Sequence, residues 1–237
     1  MLSIPIYSTT GISLIHRGAH PIVAESTTAT LLLAELRGYN EFAEQVPAVK
    51  LVPILAECFA LFSRAVLQYG GQIFRVSDAG MTAAFGACDS CHTHSNDALF
   101  AANTIQRRFT QLREAWRKEF SIEPGMGIGI HRGEVAIGLF GPPGHELPTP
   151  VGDTVNVATQ LCARARDGEV LMSAVVNSLR HLHAHHPDTG EPMPVPSMHL
   201  GELKLCGRRG SLDAWCLLAP EHPQMRAGTE SMRGLRR

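Results

Sequence analysis

The sequence predicts an α+β domain in which a mixed β-sheet carries helices on one face. Two long segments, 47–69 and 97–120, have apolar residues at helical spacing, and they alternate with short apolar runs that are typical of strands. Glycine-containing turns join several of the strands directly, which predicts β-hairpins. The resulting order, β-α-β-β-α-β-β-α-β-α-β-β, favours a layer of helices on a sheet. We expect strands that are joined by long helices to be parallel neighbours.

The composition indicates one globular domain with tails and reduced cysteines. Of the 237 residues 44% are hydrophobic, and the formal net charge is −1, so the charge does not indicate nucleic acid or an anionic membrane as a partner. No apolar run is long enough to span a bilayer, and no signal peptide is evident. The 6 cysteines are spaced irregularly, as in a reducing compartment. We expect a cytoplasmic protein with an N-terminal arm (1–28), a domain (29–218) and a flexible tail (219–237).

The first half of the domain contains three clear signals. Residues 29–35 form an apolar run, bounded by a turn signal, that indicates a buried strand. The helix over 47–69 begins at a proline, which suits a first helical turn, and two glycines follow its end. Residues 72–85 predict a strand, a tight turn and a second strand.

The second half begins with a strand of unusual composition. Glycine alternates with Met and Ile over 125–133, which indicates a strand that another backbone approaches closely. Residues 134–140 are predicted to pair with it as a hairpin. Residues 141–150 are rich in proline and glycine and predict a loop. A helix then opens near 153, and a last hairpin joins 198–206 to 211–218.

Two carboxylates lie at predicted strand ends. Glu35 closes the first strand, and Asp78 lies at the tip of the tight turn. Carboxylates on neighbouring strand ends can hold Mg²⁺ with an open side for the phosphates of a substrate. Glu35 taken alone is better interpreted as a solvent-facing strand end, and it is Asp78 that favours a metal site.

Four sequence blocks in a specific order resemble the class III adenylate/guanylate cyclase catalytic domain. The blocks are LLLAELRGY at 31–39, VSDAGMTAAFG at 76–86, GIGIHRGEVAIG at 127–138 and VGDTVNVA at 151–158. The resemblance extends over residues 28–218 and implies a ferredoxin-like core. It also implies a head-to-tail homodimer with two interfacial active sites, a nucleoside triphosphate as substrate, and Mg²⁺ or Mn²⁺ as cofactor.

The resemblance assigns roles to positions where this sequence departs from the family. Glu35 and Asp78 align with two metal-binding aspartates, and the extra methylene of Glu35 suits Mg²⁺ poorly. Phe74 aligns with a base-selecting lysine but cannot donate a hydrogen bond to a purine. Thr149 aligns with the second base-selecting position, where part of the family has threonine.

The cationic half of the implied site is changed most. Asn156 matches the asparagine of the family, whereas Gln160 aligns with an arginine that stabilises the transition state. Cys206 aligns with a phosphate-binding lysine, and Lys204 lies two residues away, on the same strand face if the strand is regular. Because the departing pyrophosphate accumulates negative charge, losing two cations weakens catalysis. We therefore expect an impaired signalling protein that acts by binding a nucleotide or a partner.

Other interpretations stay open from the sequence alone. One is an active cyclase, with ATP as the leading substrate, that uses Glu35 and Asp78 for the metal and Asn156 and Gln160 for the ribose and the phosphates. In that interpretation Arg37, Arg75 or Arg132 can substitute for the missing cations. Phe74 then indicates a changed base preference. A third interpretation is a dimerisation module of a larger signalling assembly.

Three further patterns are better interpreted without a function. Cys88, Cys91 and His92 match a haem-attachment motif, or a zinc or redox site with His94, but an inert loop is favoured because no export signal is evident. A histidine run over 181–186 and an arginine-rich end over 233–237 are typical of a solvated helix end and a solubilising tail.

Overall fold

The computed structural model describes residues 25–77, 79–87, 94–142, 145–179 and 196–217. The elements are, in order, β1 (Glu25–Arg37), α1 (Tyr39–Gln45), α2 (Ala48–Gln68), β2 (Gln72–Val76), β3 (Gly80–Phe85), α3 (His94–Phe120), β4 (Gly125–Phe140), β5 (Leu147–Val151), α4 (Asp153–Arg164), β6 (Val170–Ser173), α5 (Ala174–Leu179), β7 (Ser197–Lys204) and β8 (Ser211–Leu217). The first strand therefore begins four residues before the predicted start of the domain, inside the predicted N-terminal arm.

The strands form one mixed sheet in the order β2-β3-β1-β4-β6-β8-β7, and β5 pairs with β4 beside this path. Among the strands of the described segments, β4 and β6 pair in parallel and every other pair is antiparallel. The prediction that long helices join parallel neighbours is wrong for the first two crossovers. The crossover through α1 and α2 and the crossover through α3 each skip one strand, so that β1 lies between β3 and β4.

Both faces of the sheet are covered. Leu32, Ala34 and Leu36 of β1 belong to a large core with α2 and α3. On the opposite face, Leu31 belongs to a smaller cluster with Ala158 of α4. The predicted α+β mixed sheet is confirmed, but α4 departs from the predicted single layer of helices, because it packs against the other face of β4 and β1.

The glycines of β4 explain how α4 lies so close to the sheet. A Cβ on Gly129 would lie 2.5 Å from the carbonyl oxygen of Ala158 and 2.7 Å from Cα of Cys162, both in α4. The alternating Met and Ile side chains point to the large core instead. The prediction that another backbone approaches this strand is therefore confirmed.

The predicted hairpin over 125–140 is wrong, because these residues form the single strand β4. The last part of β4, residues 136–140, pairs with β5, which lies within the segment that was predicted to be a loop, and Gly138 pairs with Thr149. In the sequence, Pro148 and Pro150 were evidence against a strand. Among the described strands, however, β5 pairs with β4 alone, and proline is tolerated on such an edge strand.

Several predictions lie outside the described residues. These are the role of Asp78, the loop with Cys88, Cys91 and His92, the histidine run over 181–186, and the tail over 219–237. None of the helices in the described segments combines the length and apolar character that a membrane crossing needs.

Candidate functional site

Glu35 lies near the end of β1 and is paired with an arginine of the same strand. Arg37 Nη1 donates to Glu35 Oε2 at 2.5 Å, Arg37 Nε donates to the carbonyl oxygen of Ala165 at 2.8 Å, and Arg37 Nη2 donates to the carbonyl oxygen of Cys162. The two carbonyls belong to the C-terminal end of α4, where helices leave acceptors unsatisfied and favour positive charge. The carboxylate of Glu35 thus already has a cationic partner.

The predicted metal pair lies only partly within the described residues. The backbone beside Asp78 lies near Glu35, since Leu36 N donates to Ala79 O at 2.7 Å, but Asp78 itself is outside the described residues. The carboxylate of Glu35 contacts a guanidinium. Within the described segments, His, Cys, Asp and Glu side chains do not gather in threes as a metal centre. The metal role of Glu35 and Asp78 stays a prediction.

Phe74 lies in the smaller core rather than in an open cleft. It occupies an irregular position of β2, where the register shifts between Ile73 and Arg75. Its side chain is 7% exposed and packs in a cluster with Leu31 and Val135. A side chain in this position fills space, as its apolar character predicts.

Gln160 and Cys206, which the sequence places at two lost cationic positions, meet each other directly. Gln160 Nε2 donates to the carbonyl oxygen of Cys206 at 2.9 Å, and Gln160 Oε1 accepts from Cys206 N at 2.5 Å. These two bonds use one of the two Nε2–H donors of the amide and one lone pair of its oxygen. Asn156, one helical turn earlier, has an exposed side chain.

Two more arginines attach the β7–β8 turn to α4. Arg164 Nη2 donates to the carbonyl oxygen of Lys204 at 2.7 Å, and Arg208 Nη2 lies 3.0 Å from Asp153 Oδ2. Together with the Gln160 contacts they fasten the turn along the helix. Sequence reasoning missed both arginines, although Arg164 follows Gln160 by four residues and so shares its helix face.

The other two predicted nucleotide-binding residues lie in different surroundings. Lys204 is exposed at the end of β7, and Cys206 belongs to the following turn. Because β7 ends at Lys204, the condition of a regular strand through both residues is not met. Thr149 lies in β5, and its hydroxyl donates to the carbonyl oxygen of Leu147 at 3.1 Å.

The arginines considered as substitutes are not gathered at one point. Arg37 is bonded to Glu35 and α4, as described above. Arg132 donates to Thr30 Oγ1 at 3.2 Å. Thr30 in turn bonds Ser95 of α3, so the Arg132 side chain lies on the sheet face opposite α4. Arg75 is exposed on β2.

His131 is a half-buried polar residue that the sequence did not single out. Its Nδ1 lies 2.7 Å from Ser173 Oγ, which links β4 to β6. Burial, with a smaller effect of the Arg208 guanidinium, lowers the pKa of His131 to about 4. The imidazole is therefore neutral at pH 7 and acts as a hydrogen-bonding link between the strands.

Replacing Gln160 by alanine is expected to loosen the β7–β8 turn and to raise the alkylation rate of Cys206 by about threefold or more, because two hydrogen bonds to its peptide groups are lost. Mass spectrometry of iodoacetamide-treated protein measures this rate site by site. Cys162 and Cys216 serve as internal references, since both are buried and burial raises the pKa of each to about 11.

Thr159→Ala is the matched control for this experiment, because Thr159 is exposed on α4 and bonds only its own helix among the contacts described here. Its Cys206 rate should equal that of the unchanged protein. An unchanged rate in Gln160→Ala as well would mean that the amide does not hold the turn.

Comparison with known proteins gives one consistent result. The family model described as "Adenylate and Guanylate cyclase catalytic domain" matches residues 23–216. An adenylate cyclase of Anabaena cylindrica is 30% identical over 166 residues, which cover 67% of this chain and 30% of that protein. Adenylate cyclase 1 of Rhizobium meliloti is 27% identical over 208 residues, covering 86% of this chain and 29% of its own. This chain thus spans about three tenths of the length of these relatives.

The fold of this chain is similar to that of a solved cyclase structure. The crystal structure of the adenylyl cyclase CyaB from P. aeruginosa superposes with a TM-score of 0.73 at 21% identity, covering 82% of this chain and 95% of that one. At this identity the similarity shows the fold alone.

Proposed function

Because this chain belongs to the adenylate and guanylate cyclase catalytic domain family, we propose that it binds a nucleoside triphosphate at the cyclase site and converts it to a cyclic nucleotide poorly or not at all. Its role in signalling then depends on binding rather than on turnover. A related role is that of a scaffold, which would bind a partner protein through the same surface.

One observation carries the proposal: the two-point contact of Gln160 with the peptide groups of Cys206. The sequence alone leaves Gln160 as a neutral residue that still has an amide to offer to phosphates. In the structure both ends of that amide are used by the β7–β8 turn. The position is therefore without charge, and one of its two Nε2–H donors is already used within the chain.

Cyclisation needs positive charge where pyrophosphate leaves. Losing one preorganised donor costs about 10²–10³-fold in rate in a well-studied case, and here two aligned cations, at Gln160 and Cys206, are absent. Lys204 and Arg208 remain nearby as cations, but Arg208 is paired with Asp153. The net effect we propose is a site that retains affinity and loses most of its rate.

The remaining features of the proposal follow the family. We propose a homodimer in which α4 and the β7–β8 turn of one chain face β1 and the β2–β3 turn of the other. Mg²⁺ or Mn²⁺ then accompanies the triphosphate and supplies charge neutralisation of its oxygens. We also propose that the protein works in the cytoplasm, where nucleoside triphosphates are available.

The second candidate function is an active cyclase with a rearranged set of cations. The observation that favours it is the cluster of Arg164, Lys204 and Arg208 around the β7–β8 turn. In that case ATP is the leading substrate, and Asn156 has its family role beside the ribose.

The test is incubation of the purified protein with ATP, GTP, CTP or UTP and Mn²⁺, with product detection by mass spectrometry. We expect no cyclic nucleotide above the protein-free blank. We expect at least one triphosphate to raise the melting temperature. Product that disappears in Asp78→Ala would overturn the proposal in favour of the active enzyme, and the absence of any thermal shift would reject nucleotide binding in favour of a scaffold.

Restoring both cations provides the positive test. The variant Gln160→Arg with Cys206→Lys is expected to form product at about tenfold or more above the protein-free blank, because each cation stabilises the leaving group. The matched control is Thr159→Arg with Cys206→Lys, which has the same charge but places the arginine one residue away on α4. Equal product from the two variants would mean that the cation at position 160 is not what the site lacks.

A further inference from the structure

Arg37 occupies a space that the sheet leaves open for it. Glu35 pairs with Gly127 of β4 across the sheet. A Cβ at Gly127 would lie 2.6 Å from the carbonyl oxygen of Ala165 and 2.7 Å from Arg37 Nε, so any larger residue would collide with the guanidinium and the end of α4. The glycine and the arginine are therefore matched to each other.

Three oxygens converge on this guanidinium. One belongs to the carboxylate of Glu35, and the other two are the carbonyl oxygens of Cys162 and Ala165 at the negative end of α4. The Arg37 side chain is 24% exposed, so water competes only partly for these bonds. Guanidinium presents several donors in a rigid arrangement, which suits such a set of acceptors better than an ammonium would.

The length of the side chain at position 35 decides whether this arrangement forms. Glu35 and Arg37 are two residues apart in β1 and so lie on the same face. An aspartate at position 35 would draw the carboxylate back by about 1.5 Å, the length of one carbon–carbon bond. The glutamate is therefore the residue that reaches the guanidinium.

We propose that Arg37 replaces a divalent cation as the charge partner of Glu35. The carboxylate then does not serve as a metal ligand, and Arg37 acts as a positioning residue that holds the end of β1 to the end of α4. This inference concerns the same site as the proposed function, but its test requires neither a nucleotide nor a product, so that either can fail without the other.

The test uses Mn²⁺ alone, titrated into the full chain while free Mn²⁺ is measured by electron paramagnetic resonance. We expect weak binding by the unchanged protein. Glu35→Asp and Arg37→Gln should each bind Mn²⁺ about fivefold more tightly or better, because each frees a carboxylate from an ion pair of ordinary strength. The gain in Arg37→Gln should be lost when Glu35→Gln is added.

The matched control is Arg113→Gln. It removes a similar ion pair, Arg113–Asp167, with a 2.5 Å contact and side chains that are 29% and 50% exposed. Its Mn²⁺ affinity should equal that of the unchanged protein. If Arg37→Gln does not fold, Glu35→Asp, which retains the arginine, decides the question.

Two results would overturn the inference. In the first, the unchanged protein binds Mn²⁺ as tightly as Glu35→Asp, and Glu35→Gln abolishes that binding. In the second, Glu35→Asp shows no gain in affinity. Either result would mean that the guanidinium does not compete with a metal ion for this carboxylate.

Discussion

Replacing Gly129 by valine is expected to remove a large part of the protein's stability at 25 °C. The new Cβ would lie 2.5 Å from the carbonyl oxygen of Ala158 and 2.7 Å from Cα of Cys162. Both atoms belong to the backbone of α4, which cannot move aside as a flexible side chain would. Since overpacking by a methylene alone costs about 1–3 kcal/mol, we expect a loss of about 4 kcal/mol or more, a large part of a usual stability of about 5–15 kcal/mol.

Urea denaturation followed by far-UV circular dichroism measures this loss. Gly210→Ala is the control, because a Cβ there meets nothing within 4 Å, and it should change the free energy of unfolding by less than about 0.5 kcal/mol. A Gly129→Val protein within about 1 kcal/mol of the unchanged protein would show that α4 does not pack on β4 as described.

Replacing Phe74 by lysine is expected to cost about 3–5 kcal/mol of stability. The substitution removes a 7% exposed aromatic ring from its cluster with Leu31 and Val135, and truncation of a buried phenylalanine alone costs about this much. It also places an ammonium group where few polar partners exist. The expected result in thermal and urea denaturation is a marginally stable or unfolded protein.

This result matters for any attempt to restore a base-selecting lysine. If a Phe74→Lys variant formed no product, the cause would be loss of folding and not the chemistry of the site. Position 74 is therefore best left unchanged when the cations at positions 160 and 206 are restored. Val76→Lys is the control, since Val76 is 45% exposed on the same strand, and its stability should change by about 0.5 kcal/mol or less. Equal stability of the two lysine variants would mean that position 74 opens to solvent.

The sequence predicted what depends on local pattern. The helical periodicity of 47–69 and 97–120 was sufficient to locate α2 and α3, and the alternation of glycine in 125–133 was sufficient to predict a close approach of another backbone, which Gly129 confirms. Such elements can be predicted from the sequence because the spacing of the apolar residues reflects which side of the element is buried.

What the sequence could not predict depends on partners far along the chain. Nothing near Gln160 indicates that its amide bonds the peptide of Cys206, and nothing near Glu35 indicates that its neighbour Arg37 reaches the end of α4. The aligned position suggested a ligand role in each case. Side-chain length and packing then determined which groups these residues contact.

The central position of β1 has a consequence for how the chain folds as it is synthesised. Leu33 pairs with Thr82 on one side and with Gly129 on the other, and both partners leave the ribosome much later. Until then neither edge of this apolar strand has a hydrogen-bonded neighbour, and such edges promote pairing with other chains. Native structure around the nascent N-terminal segment therefore has to wait for β4, and a chaperone that shields this strand is expected to raise the yield of folded protein.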